Sequence, residues 1–160
     1  MGFASRHDLL ARSNAERIAQ LAVPADREMP GIILRASIDG EDLSAYPDID
    51  QDTITLALET IDKCLADADD LLVSYGVPAD ARSSLLARYA STVAVYYLYQ
   101  GEIVTEPVQV AYDEVISQLT KFSKGLVDLL PPGYEGEDPD AGGGALIESD
   151  PPRFGYRRKA

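Results

Sequence analysis

Asp48, Asp50 and Asp52, with Glu59 at the twelfth position of the series, have the oxygen-ligand spacing of a helix–loop–helix calcium site. The sixth position of such a loop needs glycine for its sharp turn, and here it is Thr53. The residues from Thr53 to Glu59 read as helix instead. The same acids suit the start of that helix, where carboxylates accept from free N–H groups and face the positive end of the dipole. That capping role is the expected one. His7 is the only histidine, so a Ser–His or Cys–His nucleophile would have a single candidate base. It falls in a first helical turn with no motif around it and reads as a solvated surface residue. Cys64 falls on an apolar stripe, where a small buried hydrophobe is expected. The carboxylates from Glu59 to Asp70 are spaced like a solvated helix face, and Asp39-Gly40-Glu41-Asp42 like a turn. No catalytic residue, cofactor site or metal site is expected.

Two aromatic groups suit binding chemistry better. Tyr89, Tyr96, Tyr97 and Tyr99 crowd one stretch. Tyr89 and Tyr97 read as core. Tyr99 projects from the main stripe toward the side of Arg88, and stands between core and interface, where tyrosine buries area while keeping a polar handle. The end of the chain places Phe154 and Tyr156 among Arg153, Arg157, Arg158 and Lys159. That pattern resembles a docking peptide, with two rings to fill pockets and four cations to meet acidic surface or phosphate. An inert, solubilising end is the bland alternative. The acidic, glycine-rich stretch before it reads as a tether whose root-mean-square reach is ~20–25 Å.

The elements that must position these groups are helices. Ser5 and Asp8 have the spacing of a capping box. Leu9, Leu10, Ile18 and Leu21 then fit a short helix broken around Ser13-Asn14. From Ala22 to Asp50 periodicity is lost among Pro24, Pro30, Gly31, Gly40 and Pro47. A long connection is expected there, with Ile32-Ile33-Leu34 packing inward or pairing briefly as a strand. The second helix is the clearest: Ile54, Leu58, Ile61, Leu65, Ala68 and Leu72 recur at spacings of four and three, closed by Gly76 and Pro78. A third runs from about Asp80 to Gln100, with Leu85, Leu86, Tyr89 and Val93 inward and Arg88 and Ser91 outward. Its second half, from Val93 to Tyr99, is apolar or aromatic all round and must be covered on every face; a second subunit is one source of that cover. A fourth helix starts at Thr105 as N-cap and carries Val108, Tyr112, Val115, Leu119, Phe122 and Leu126 as its stripe.

After Leu130 the composition turns to Pro131-Pro132-Gly133, Gly142-Gly143-Gly144 and Pro151-Pro152. Such a segment has too little apolar surface to fold alone. The expectation is therefore an all-α, small four-helix-type bundle over 1–130, with a long N-terminal inter-helix loop, followed by an extended tail over 131–160.

Composition narrows the function classes. The net charge is −13, from 27 acids against 14 bases. A surface of that sign repels phosphate backbones, which argues against general nucleic-acid binding by the helical body. The charge is uneven: Glu135, Glu137, Asp138, Asp140, Glu148 and Asp150 stand without a base, and Arg153, Arg157, Arg158 and Lys159 then follow without an acid. A single cysteine forms no intramolecular disulfide and suits a reducing cytosol. The opening residues have no apolar stretch of a signal peptide, and no apolar run nears the ~20 residues that span a bilayer. No membrane partner is expected.

The order of these features resembles the Mu-like phage family of small helical neck proteins. Phe3-Ala4-Ser5-x-x-Asp8-Leu9-Leu10 is similar to the family's opening. Ile49-Asp50, Ala57-Leu58, Ala66-Asp67-Ala68 and Tyr75 look like its second helix, Leu85, Ala90 and Tyr96-Tyr97-Leu98-Tyr99 like its third, and Tyr112, Leu119 and Gly125 like its last. These are packing and capping residues in a shared order, and they cover roughly residues 3–127. The connection from Ala22 to Pro47 is longer than the pattern, and the tail after Leu130 is an extension of it.

The resemblance implies a virion protein of the head–tail junction, made in the host cytoplasm and acting without catalysis. It would bind the portal protein, accept the next neck (stopper) protein or the tail, and stand in a ring, twelvefold by family analogy. The alternative is a cytoplasmic acidic helical regulator with a basic docking peptide.

Overall fold

The computed structural model describes residues 2–46, 51–99 and 102–134. These residues form six α-helices and no strand: α1 (Arg6–Leu10), α2 (Ala15–Ala22), α3 (Gly31–Asp39), α4 (Gln51–Ser74), α5 (Ser84–Leu98) and α6 (Glu106–Ser123). A single 3-10 turn, Leu43–Ala45, precedes α4. The all-α expectation holds.

The N-terminal segment is fixed by its opening residues. Ser5 Oγ accepts from the Asp8 N–H, and the Asp8 carboxylate accepts from the Ser5 N–H at 2.8 Å, a reciprocal capping box. These bonds hold the Asp8 carboxyl below the ordinary carboxylate range. Phe3, in front of the cap, is buried, and its N–H donates to Asp69 Oδ1 of α4 at 3.0 Å. Burial nevertheless pushes the Asp69 carboxyl up. Arg82 lies over the Phe3 ring, 5.3 Å from its centre. The break expected near Ser13-Asn14 is real, and the Asn14 side chain caps α2 by accepting from the Glu16 N–H.

The 22–50 connection departs from expectation. Ile32-Ile33-Leu34 is neither loop nor strand but lies in α3, with Ile33, Leu34 and Ala36 buried and Ile32 exposed. Pro30 and Gly31 open this helix and Gly40 closes it, so the residues that suggested irregular chain are its two ends. Gly31 touches the backbone of α2 at Glu16, a closeness that only a residue without Cβ allows.

The α4 stripe is as expected along its length. Ile54, Ile61, Leu65, Ala68 and Leu72 are buried, and Leu58 is half-buried. Ala57 and Cys64 are buried beside them, because α2, α3 and α5 all pack on α4.

Helix α5 packs against α1, α2, α4 and α6. Val93, Ala94, Val95 and Leu98 are buried, while Tyr96 and Tyr97 are half-buried. The cover for its apolar second half comes from the same chain. Ser91, expected outward, is fully buried. Its hydroxyl donates to the Ala87 carbonyl at 2.7 Å, which satisfies it within its own helix. Leu126, expected on the α6 stripe, is 70% exposed. The helix stops at Ser123, and Gly125 at φ 69° turns the chain away before the stripe repeats. Leu129 returns to the core, and the Tyr134 hydroxyl donates to Asp80 at 2.5 Å.

Candidate interaction surface

Tyr99 follows the last residue of α5 and is 6% exposed. The Arg17 guanidinium of α2 sits 5.0 Å from its ring centre and donates to Glu102 Oε2 at 2.9 Å. Tyr99 raises the Arg17 pKa most, and Glu102 adds to it. In the single chain Tyr99 is thus a packed residue under a cation, facing α2. The other candidates, Arg153, Phe154, Tyr156, Arg157, Arg158 and Lys159, lie outside the described residues, as do Asp48 and Asp50.

The remaining chemical candidates are separated in space. His7 pairs with Asp39 at 3.0 Å on the surface, a contact between α1 and α3. Cys64 is buried. Thr53 is buried within α4 and Glu59 is exposed one turn and a half later, so these two stand on a continuous helix and not on a loop. Asp62 holds Arg6 through two hydrogen bonds, to Nε at 2.7 Å and to the terminal nitrogen at 2.5 Å. Among the described residues no group of three or more His, Cys, Asp or Glu side chains could hold a metal ion. No described helix is long and apolar enough to cross a membrane.

The tyrosines form a half-buried cluster along the α5–α6 contact. Tyr96 and Tyr112 stack with ring centres 3.8 Å apart and planes 13° apart, and Tyr97 meets both rings at an angle. Burial first, and the Tyr112 phenol second, push the Tyr97 hydroxyl up to about 12. An unfolded tyrosine titrates near ~10. The neutral phenol therefore adds stability that is complete below the unfolded value and is lost as pH rises from about 10 toward 12. Thermal melts across that alkaline window should fall less steeply for Tyr97→Phe than for the wild type. Equal slopes would place the Tyr97 hydroxyl in open solvent.

Outside this cluster the surface carries isolated apolar side chains that periodicity did not reveal. Ile32 on α3, Val110 on α6, Ile103 in the α5–α6 turn and Leu126 after α6 are all exposed. Between α5 and the first turns of α6 there is also a cleft, bordered by arginines from two parts of the chain. Only a sequence reading that already knew the α1–α5 contact could have joined Arg12 to Arg88.

Comparison with protein families finds a match to the Bacteriophage Mu, Gp36 family over residues 3–148. Among curated proteins none matches. The family match takes in α1 to α6, the connection from Ala22 to Pro47, and much of the stretch after Leu130 that was expected to be an extension of the family pattern. Because it spans nearly the whole chain, the protein belongs to the Bacteriophage Mu, Gp36 family, with a structural or assembly role in a phage.

Proposed function

We propose that this protein is a head–tail connector adaptor that works by assembly and not by catalysis. It binds the portal ring, forms a ring of its own, and accepts the next neck (stopper) protein or the tail. The observation that carries this reading is the family match over residues 3–148, joined to the neck-protein order of packing and capping residues. Charge supports it. A ring through which DNA passes must not hold the phosphate backbone, and a chain of net charge −13 repels it. The basic-aromatic 153–159 segment then has a separate task, which is to clamp a neighbouring subunit once the body is bound. Tethering raises its local concentration, so a weak contact suffices.

Reconstitution on purified portal rings of the same phage, scored by electron microscopy, tests the reading. The expected result is an added layer of density on the portal. Phe154→Ala with Tyr156→Ala should reduce decorated portals roughly tenfold, the effect of losing about 1.4 kcal/mol at an interface. Arg157→Glu with Arg158→Glu should do the same, because rings and charges act together in such a peptide. Portals left bare by the wild-type chain would overturn the adaptor reading in favour of a cytoplasmic acidic regulator. Full decoration by both double variants would make the end of the chain an inert solubilising segment.

A further inference from the structure

The cleft between α5 and α6 has a volume of about 290 Å3 and an apolar floor that includes Val95, Val108 and Ala111, beside Thr92. Arg12 and Arg88, both exposed, border it. Neither guanidinium is in an ion pair with a described residue. Arg12 only adds a small electrostatic pull on Asp8, whose main partners are on Ser5. In a chain with 27 acids and 14 bases, two arginines that flank one apolar slot with no ion pair among the described residues are a specific arrangement. Its occupant needs aliphatic side chains to fill the floor and carboxylates to face the arginines.

The chain itself contains such a segment. After Tyr134 the only adjacent pair of large aliphatic residues is Leu146-Ile147, followed by Glu148 and Asp150 with no base between. The basic end at 153–159 has the wrong charge for this cleft. We propose that the Leu146-Ile147-Glu148 segment of the same chain docks in the α5–α6 cleft, its aliphatic side chains on Val95 and Val108 and its acids facing Arg12 and Arg88.

Reach allows it. Tyr134 is held at Asp80, just ahead of α5, by its hydroxyl. Leu146 is twelve residues on, a span of ~40 Å at full extension. Val95, eleven residues into α5, lies ~17 Å along the axis from Ser84 at 1.5 Å per residue. The family match ends at residue 148, with the last residue of the proposed segment. The basic-aromatic residues beyond it then start from a fixed point on the body, which sets the direction in which they are presented.

A nitroxide on Ser149→Cys in the full-length, nitrogen-15-labelled chain tests this docking, since Cys64 is 1% exposed and does not compete for the label. The Thr92 and Ala111 amides should lose roughly half their intensity, as for a weak contact half-populated at the millimolar effective concentration of a short tether. Arg12→Glu with Arg88→Glu should restore that intensity, and adding Glu148→Arg with Asp150→Arg should remove it again. Undiminished Thr92 and Ala111 signals would overturn the proposal, as would broadening that survives the arginine reversal. Broadening seen when spin-labelled unlabelled-nitrogen protein is mixed with labelled, nitroxide-free protein would assign the cleft to a second copy and overturn docking within one chain.

Discussion

Leu65→Asp unfolds the protein at room temperature. Leu65 is 6% exposed on the buried face of α4, in line with Ile61, Ala68 and Leu72. A carboxylate there would lose its water within the hydrophobic core cluster to which Leu65 belongs. Removing the leucine side chain costs about 2–5 kcal/mol by itself. Burying an uncompensated charged or polar group adds several kcal/mol. Domains of this kind have only about 5–15 kcal/mol in total. Circular dichroism should show a loss of cooperative thermal unfolding. Asp62→Ala is the matching control on the same helix. Its side chain is 51% exposed and among the described residues pairs with Arg6 alone, so its removal should cost about 1 kcal/mol or less. If both variants melt like the wild type, the rotational setting of α4 described above is wrong.

The contrast between those two neighbours was legible in the sequence because α4 is long. Over 24 residues the apolar repeat outweighs any local ambiguity, and Gly76, at φ 92°, follows its end as a stop signal should. The break between α1 and α2 was legible for a similar reason, since Asn14 is a strong N-cap. Helix α3 was hidden by its shortness. Nine residues hold too few repeats to show a period, and the Pro and Gly that bound it are the residues that suggest irregular chain. Ser91 was misread because a hydroxyl on a helix can return its proton to a carbonyl one turn back and be buried without a tertiary partner. Tyr99 was ambiguous because its partner, Arg17, is far away in the chain. The same holds for the α5–α6 cleft. Arg12 and Arg88 share no local pattern, and only the packing of α1 against α5 brings them together. Patterning within elements is thus readable where a helix is long, while a surface built from several helices becomes visible only with the fold.

Gly31→Ala should destabilise the protein by about 1–3 kcal/mol, or more if α2 and α3 cannot separate. A Cβ at Gly31 would collide with the Glu16 nitrogen and lie 2.6 Å from the Glu16 Cα and 2.7 Å from the Ala15 carbonyl carbon. All three are backbone atoms, so no side-chain rotation relieves the contact. The helices would have to move apart, which breaks the 2.6 Å hydrogen bond from the Gly31 N–H to Glu16 Oε2 and loosens the packing of α2 on α3. Gly40→Ala at the other end of α3 separates steric from conformational cost. Gly40 has φ 73° with nothing within 4 Å of its built Cβ, so alanine there meets only the left-handed penalty of about 1–2 kcal/mol. Glu16→Ala isolates the hydrogen bond, at about 0.5–1.5 kcal/mol. Urea unfolding of the three variants should therefore place Gly31→Ala lowest. A Gly31→Ala protein as stable as the wild type would mean that α2 and α3 do not pack at Gly31. The 22–50 segment would then be better described as the irregular connection that its prolines and glycines suggest. With α3 intact, the same packing also fixes which way Ile32 faces. A stable helix seated on α2 keeps that exposed isoleucine on the outer surface, where it is available to an assembly partner.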